Sequence, residues 1–262
     1  METKEHLDLS YLGLLAIEAG EIITKNFRKV DRRLKDDGTP VTIVDEAINK
    51  LVVDSISRDF PDVSIISEEG NREVSGAELR VFCDPLDGTF PFCLGLPIST
   101  FCISVLKENT PLMGLIYDPF CNRVWSAARR KGAFLHGNKI RVSQRDQIDG
   151  SQLCLIWWKR SQYNAGKVND KLLDAGGISI NPLSIAIFGG LIGQGLADGS
   201  IFPGNKGWET AAMQVIVEEA GGKVTDIHGN KMVYGSKGEI EGHIVSNGFL
   251  HNQLVEIVAS CQ

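Results

Sequence analysis

Apolar residues near the start of the chain recur with the spacing of an amphipathic helix. Leu12 and Leu15 belong to a pattern with intervals of three and four residues, and this pattern predicts a first helix over 9–27. A second run with the same period covers 45–60, and Pro61 stands where that helix would end. Asp-Gly and Thr-Pro pairs between the two runs are typical of a turn that leads into a short extended segment.

The period then changes to that of short strands. Runs rich in Val, Ile, Phe and Cys are separated by Gly, Pro, Asn and Asp, and they predict strands at 62–66, 79–83, 99–107, 112–118 and 123–129. The segment 132–143 predicts a closing hairpin whose turn contains His136 and Gly137. Because no helix separates these strands, we expect an antiparallel sheet with helices on one face.

Strands and helices alternate in the second part of the chain, as in an α/β unit. The predicted strands are 151–157, 178–180, 222–226 and 242–248, and the predicted helices are 165–175, 182–197, 207–220 and 248–260. The glycine-rich segment 189–195 lies inside a helical pattern and lacks the Lys-Ser/Thr ending of a nucleotide loop, so we expect close helix packing there. We predict an N-terminal α+β lobe over 1–145 and a C-terminal α/β lobe over 146–262, with one cleft between them.

Composition and charge restrict the class of protein. The chain has 262 residues, 43% of them hydrophobic, and a net charge of -6, which argues against a general nucleic-acid binder. It contains no apolar run of about 18 residues that could span a bilayer, and no signal-peptide pattern at its start. Six scattered cysteines without metal-ligand spacing are expected to be reduced and structural. We therefore expect a cytoplasmic protein that binds neither membranes nor nucleic acid.

Acidic residues cluster at the ends of predicted elements. Asp84 and Asp87 flank Pro85 in the segment DPLDGT, and two carboxylates this close repel each other unless a cation lies between them. Glu68 with Glu69 follows another strand, and single acids begin two helices. Each acid alone has a structural explanation, as a helix-start residue or as part of a solvated loop. Together the carboxylates suit a hard cation such as Mg²⁺, and the following Gly-Thr suits a phosphate.

The chain contains three motifs: SEEG at 67–70, DPLDGT at 84–89 and GWETAAMQVIVEEAGG at 207–222. In this order, they closely resemble the inositol monophosphatase family of lithium-sensitive, Mg²⁺-dependent phosphomonoesterases. The resemblance extends over nearly the whole chain. It implies the layered α-β-α-β-α fold of the sugar phosphatases and a homodimer. It also implies a small phosphorylated metabolite as substrate, with two or three Mg²⁺ ions bound.

The resemblance assigns roles to individual residues of this sequence. It implies Asp45, Thr89 and Glu68 as catalytic groups, because Thr89 with Asp45 would orient and activate the attacking water. The implied metal ligands are Glu68, Asp84, the carbonyl of Leu86, Asp87 and Glu209. The implied substrate and phosphate contacts are Asp87, Gly88, Thr89, Ser184 and Glu209.

The sequence departs from the family pattern at a few of these positions. The usual Trp-Asp pair reads Trp208-Glu209, and Pro91 stands where the family has Asn. Leu183 precedes Ser184 where many inositol-phosphate enzymes have Gly, and an apolar Phe202 occupies the place of a glutamate that holds ring hydroxyls. We therefore keep fructose-1,6-bisphosphate, a 3'(2')-phosphonucleotide and histidinol phosphate as alternative substrates. A catalytically weakened relative with a role in binding or assembly is the alternative from another class.

Overall fold

The computed structural model describes residues 6–36, 38–156 and 163–261. The last residue of the predicted strand 151–157 lies outside these ranges. Within them the helices are α1 Leu9–Asn26, α2 Ile43–Asp59, α3 Thr89–Cys93, α4 Ala165–Asp174, α5 Ile185–Gly193, α6 Thr210–Glu219 and α7 His251–Ala259. The strands are β1 Arg33–Leu34, β2 Pro40–Val41, β3 Ser64–Ser67, β4 Leu79–Asp87, β5 Thr100–Lys107, β6 Thr110–Asp118, β7 Arg123–Ala128, β8 Gly132–Leu135, β9 Asn138–Lys139, β10 Gln152–Leu155, β11 Ile178–Ser179, β12 Gly199–Phe202, β13 Lys223–Thr225 and β14 His243–Ser246.

Two large sheets organise these elements. The first has seven strands in the order β3-β4-β5-β6-β7-β8-β9, and all neighbours in it are antiparallel except β3 and β4. The second has five strands in the order β11-β10-β12-β14-β13, of which β11, β10 and β12 are parallel. The predicted hairpin at 132–143 is present as β8 and β9, and β1 pairs with β2 in a small separate ribbon.

The helices and sheets form five layers. Helices α1 and α2 pack on one face of the seven-stranded sheet through side chains such as Leu12 and Ile48. Helices α5 and α6 fill the space between the two sheets, with Phe188 and Met213 in the shared core. Helices α4 and α7 cover the outer face of the five-stranded sheet. This confirms the predicted α-β-α-β-α arrangement, whereas the expectation of helices on only one face of the first sheet is wrong.

Several boundaries differ from the sequence prediction for local reasons. Strand β12 was not predicted, because Gly199–Phe202 is short and follows a helical pattern directly. Helix α5 begins three residues later than predicted, since Ser184 caps it and Leu183 has a left-handed backbone. The division into lobes at 145/146 stays a prediction, because the central core takes residues from both sides of that boundary. None of the helices in the described ranges combines the length and the apolar character that a membrane span needs.

Glycines in α5 allow this helix to lie close to its neighbours, as the sequence predicts. A Cβ atom added at Gly190 would lie 2.6 Å from Cδ2 of Trp125, and one added at Gly189 would lie 2.6 Å from Cγ of Met213. Trp125 is fully buried, so the ring has no free space into which it could move. The glycine-rich segment is therefore a packing surface.

We expect Gly190→Ala to lower the free energy of unfolding by about 1–3 kcal/mol, because the added methyl group overpacks the core against Trp125. Gly13→Ala is the matched control, since a Cβ atom at Gly13 in α1 meets nothing within 4 Å. The control should raise the free energy of unfolding by about 0.5–1 kcal/mol. Urea unfolding of both variants checks this, and equal effects of the two substitutions would contradict it.

Candidate active site

The segment that carries Asp84 and Asp87 is a bulged part of strand β4. Asp84 pairs with Cys102 and Asp87 pairs with Thr100, so three steps along β4 oppose two steps along β5. The prediction that both acids follow the end of the strand is therefore wrong. Pro85 lies in the bulge, where the missing N–H removes no regular ladder bond. The bulge re-aims the two carboxylates while the strand continues.

Gly88 turns the chain from β4 into α3. Its φ of 87° is in the left-handed region, and a Cβ atom there would lie 2.8 Å from the carbonyl oxygen of Ile98. Glycine is required here for both reasons. Asp84 fixes the bulge just before this turn, because its Oδ1 accepts the N–H of Leu86 at 2.9 Å.

Asp87 connects the first sheet to the second half of the chain. Its Oδ2 accepts the N–H of Ala186 at 3.0 Å and the hydroxyl of Thr100 at 3.1 Å, and the hydroxyl of Ser184 donates to the same oxygen. Burial raises the pKa of Asp87, and the hydrogen bonds from Ser184 and Ala186 oppose that rise. The structure thus uses this carboxylate to anchor the start of α5.

Thr89 and Asp45 meet across the site. The Thr89 hydroxyl lies 2.9 Å from Oδ1 of Asp45 and 3.0 Å from the carbonyl oxygen of Leu86. The other oxygen of Asp45 accepts the N–H and the hydroxyl of Thr42 in a capping box at the start of α2. Burial raises the pKa of Asp45. The capping box therefore orients the carboxylate so that its free oxygen faces the Thr89 hydroxyl.

Lys35 is a site residue that the sequence analysis missed. Its Nζ lies 2.7 Å from Oε1 of Glu68 and also bonds Glu69. Burial disfavours the charged form of Lys35, but the two glutamates outweigh it and raise the lysine pKa. Burial raises the pKa of Glu68 to about 7 although Lys35 opposes the rise. A lone lysine in a polar turn gives no sequence signal for this role.

Asp84 is repelled by three other acidic residues of the site. Burial raises its pKa well above the usual range, and Glu68, Asp87 and Glu209 raise it further. Burial likewise raises the pKa of Glu209, with Asp87 and Glu68 adding to the rise. The structure therefore brings these four carboxyl groups, from the turn after β3, from β4 and from the start of α6, into one electrostatic environment.

The chemistry of this donor set fits a hard divalent cation. All the groups are carboxylate or carbonyl oxygens, the ligands that Mg²⁺ prefers, and Mg²⁺ commonly uses only one or two protein carboxylates together with waters and substrate phosphate. Among the residues that the structure describes, no three His, Cys, Asp or Glu side chains already converge as a complete set of ligands. Asp84, Asp87 and Glu68 are instead held by separate partners in the protein.

The residue after Glu209 contacts a buried histidine that the sequence did not connect with the site. Thr210, the next residue, places its hydroxyl 3.0 Å from Nδ1 of His243. Burial lowers the pKa of His243 to about 3, so the ring is neutral at neutral pH. The ring of Phe202 lies 5.1 Å from the His243 ring, and Phe202 is itself buried in the core.

Ser184 is fully buried between Asp87 and α5. Its hydroxyl donates its proton to Asp87, and its Oγ also accepts the N–H of Ile187 at 3.4 Å as the cap of α5. The hydroxyl therefore has a positioning role, and its contact with phosphate stays a prediction. The preceding residue, Leu183, has a φ of 62° and is partly exposed.

The predicted site residues thus form three connected groups in the structure. Glu68, Asp84, Asp87 and Glu209 share one electrostatic environment, Thr89 binds Asp45, and Ser184 binds Asp87. The Leu86 carbonyl joins these groups, because it lies within hydrogen-bonding distance of Thr89. Their catalytic and ligand roles stay predictions that this geometry supports.

Residues 9–262 of the chain match the inositol monophosphatase family. The chain is 26% identical over 261 residues to a fructose-1,6-bisphosphatase/inositol-1-monophosphatase of Aquifex aeolicus, covering 97% of this chain and 95% of the relative. It is 32% identical over 230 residues to Nus factor SuhB of Escherichia coli, with 84% and 86% covered. It is 27% identical over 265 residues to a histidinol-phosphatase of Mycobacterium tuberculosis, with 95% and 97% covered.

Solved structures agree with this match. An IMPase of Thermotoga maritima superposes with a TM-score of 0.86 at 27% identity and covers 96% of each chain. A structure described as IMPase/NADP phosphatase complexed with Mg²⁺ and phosphate has a TM-score of 0.82 at 19% identity, with 95% of this chain and 93% of the other covered. The layered fold predicted from the sequence is therefore confirmed.

We expect Glu209→Gln to stabilise the protein in EDTA, because burial disfavours the ionised form of this carboxyl group, and Asp87 and Glu68 disfavour it further. A carboxyl group whose pKa is raised by folding stabilises the protein below its unfolded pKa, and this contribution is lost as pH rises through the raised value. The melting temperature at pH 7.5 should rise by about 2–4 °C, the shift that roughly 1 kcal/mol produces in a chain of this size.

The increase in melting temperature caused by Glu209→Gln should become larger from pH 5 to pH 8 in EDTA. Thermal unfolding of both proteins across that pH range measures it. Glu21→Gln is the control, since Glu21 is exposed on α1 and its loss should change the melting temperature little. A lower melting temperature for Glu209→Gln than for the unmodified protein at pH 7.5 would show that the carboxylate is stabilising.

Proposed function

Since this chain belongs to the inositol monophosphatase family and is a phosphatase, we propose that it is a Mg²⁺-dependent phosphomonoesterase acting on a small polyol or sugar phosphate. One observation carries the proposal: burial raises the pKa of Asp84 well above its usual range, and Glu68, Asp87 and Glu209 lie close enough to raise it further. A fold has no structural need for three buried acids beside the half-buried Glu68, and such clusters are typical of functional sites.

The proposed metal ligands are the oxygens that the protein already concentrates here. Glu68, Asp84, the Leu86 carbonyl, Asp87 and Glu209 would hold the cation or cations. Magnesium bound there would neutralise the charge of the phosphate and acidify the attacking water. The family is Mg²⁺-dependent, and the ligand set supports the same dependence for this chain.

Thr89 and Asp45 are proposed to orient the attacking water. Asp45 holds the Thr89 hydroxyl at 2.9 Å, and its own position is fixed by the two bonds from Thr42. The hydroxyl can accept a proton from water when it donates its own proton to Asp45. The N–H groups of Gly88 and Thr89 follow directly in the chain and are proposed to bind the phosphate.

The substrate is the least constrained part of the proposal. The relatives are named for fructose-1,6-bisphosphate, inositol 1-phosphate and histidinol phosphate, so the names support phosphate monoesters of small alcohols without choosing among them. A 3'(2')-phosphonucleotide stays a further alternative. Phe202 argues against inositol phosphate, because a buried aromatic ring cannot accept a hydrogen bond from a ring hydroxyl. Lithium inhibition, a homodimer and a cytoplasmic location are proposed on the family resemblance.

Release of inorganic phosphate from a panel of phosphate monoesters tests the proposed function. We expect activity with Mg²⁺, none in EDTA, and inhibition by Li⁺. Thr89→Ala should lower kcat by about 100- to 10,000-fold, the usual contribution of a positioned proton-transfer group. Thr89→Ser is the matched control, because it keeps the hydroxyl and should keep most of the activity. Equal activity with and without Mg²⁺ across the panel would refute the proposal.

The second candidate is a catalytically weakened member with a role in binding or assembly. The relative at 32% identity carries the name Nus factor SuhB, which is not an enzyme name. Glu209 in place of the family's aspartate supports this candidate, since one added methylene moves a carboxylate by about 1 Å and small displacements cost large factors in rate.

Glu209→Asp separates the two candidates in the same assay. If the longer side chain weakens catalysis, kcat/KM should rise by about 10-fold or more in the variant, because the carboxylate returns toward the family position. If the site is adapted to glutamate, kcat/KM should fall by a similar factor. Absence of phosphate release by both proteins across the whole panel would favour the binding role.

A further inference from the structure

The start of α6 carries Glu209, which joins Glu68, Asp84 and Asp87 in the acid cluster. The Glu209 side chain is buried, and no other residue in the described ranges donates a hydrogen bond to its carboxylate. Asp84 and Asp87 differ in this respect, because each of their carboxylates accepts a backbone N–H. The position of the Glu209 carboxylate therefore depends on what fixes the first turn of α6.

Hydrogen bonds on both sides of Glu209 fix this turn. The N–H of Gly207 donates to the carbonyl oxygen of Gly238 at 2.9 Å, and Oγ1 of Thr210 lies 3.0 Å from Nδ1 of His243. Thr210 and His243 are both fully buried, and His243 belongs to β14 of the five-stranded sheet. The second bond therefore ties the residue after Glu209 directly to that sheet.

The ring of His243 has a fixed place in the core. Phe202 is its cross-strand neighbour on β12, and the two ring centroids are 5.1 Å apart. Burial lowers the pKa of His243 to about 3, so the imidazole stays neutral at neutral and alkaline pH. The bond between His243 and Thr210 is therefore unaffected by protonation of the ring under these conditions.

Stability alone does not account for a histidine at position 243. In the part of the chain that the structure describes, Nε2 of this ring has no hydrogen-bond partner, although the ring is fully buried. A buried nitrogen without a partner lowers stability, and two apolar side chains would fill the same space without that loss. The histidine–threonine pair adds a direction that apolar packing lacks, because a hydrogen bond requires a defined distance and angle.

We propose that His243 is a positioning residue, which holds Glu209 in the acid cluster through the hydrogen bond to Thr210. The proposal rests on the proposed function, because it takes Glu209 as a ligand of the divalent cation. Glutamate is a long side chain with several rotatable bonds, so its carboxylate reaches different positions when the backbone moves. A helix start displaced by about 1 Å would carry the carboxylate away from the other acids, and displacements of this size have large effects at such sites.

The melting temperature as a function of Mg²⁺ concentration tests the proposal without any substrate. A cation that binds only the folded protein raises the melting temperature, and the concentration dependence gives the dissociation constant. Thr210→Val keeps the shape of the side chain and removes the hydroxyl, so the dissociation constant for Mg²⁺ should rise about 10-fold or more, as for other residues that orient metal ligands. His243→Leu should act in the same direction, whereas Thr210→Ser keeps the hydroxyl and should restore the binding.

Thr225→Val is the matched control. Oγ1 of Thr225 lies 2.9 Å from Nε2 of His251, so this is another buried threonine–histidine pair, and it joins β13 to α7 outside the acid cluster. Both valine variants should lower the melting temperature in EDTA by about 2–4 °C, the shift expected for a lost buried hydrogen bond in a chain of this size. Only Thr210→Val should weaken the binding of Mg²⁺.

The same measurement in Glu209→Gln separates positioning from general destabilisation. If Thr210 acts through Glu209, adding Thr210→Val to Glu209→Gln should leave the dissociation constant within about twofold of that of Glu209→Gln alone, because the two effects are then not additive. An equal effect of Thr210→Val in both backgrounds would refute the positioning role. Unchanged Mg²⁺ binding by Thr210→Val would refute it as well.

Phosphate release by the unmodified protein decides the proposed function separately. If Thr210→Val weakens Mg²⁺ binding as expected, the positioning role is supported even when no ester of the panel is hydrolysed, and only the phosphatase function is refuted. If esters are hydrolysed but Thr210→Val binds Mg²⁺ normally, only the positioning role is refuted. If Mg²⁺ leaves the melting temperature of the unmodified protein unchanged, both are refuted.

Discussion

The candidate site depends on one interaction, in which the buried carboxylate of Asp87 accepts the N–H of Ala186 and the hydroxyl of Ser184. Asp87 is the last residue of a strand in the first sheet, while the other two residues begin a helix that packs between the sheets. The bulge at Asp84 gives the carboxylate its direction, and the helix start supplies the donors. The geometry of the site therefore exists only when both halves of the chain are folded together, which ties the site to the central core.

The same region carries a free-energy cost. Burial and mutual repulsion raise the pKa of Asp84 and Glu209, so their ionised forms oppose folding at neutral pH. Lys35 offsets part of the charge at Glu68, but no described lysine or arginine forms an ion pair with Asp84 or Glu209. The free energy of unfolding of a protein is only about 5–15 kcal/mol, so a cluster of this kind lowers stability substantially. Such a loss is retained where function requires the cluster.

The apolar periods predict the long helices well, because they extend over many residues, as in α1 and α2. The layer order followed from the family resemblance and not from these periods. The acid motifs also predicted a shared site for Glu68, Asp84, Asp87 and Glu209, and their roles as ligands stay predictions. The bulge was not predictable, since the extra residue in β4 is defined by its pairing with β5, and pairing is a property of the folded chain. Lys35 and His243 were missed for a similar reason. Their partners lie 33 residues away in each case, and neither belongs to a local pattern.

The residues around the site differ in how firmly the protein holds them. Asp45, Asp84 and Asp87 accept buried hydrogen bonds from the backbone and from hydroxyl groups, so a change there disturbs the core as well. Leu183 and its loop are partly exposed and are fixed by only a few bonds through Asn181 and Ser184. Side chains at such an edge can change without dismantling the acid cluster. A family with one site and several named substrates is the expected result of that arrangement.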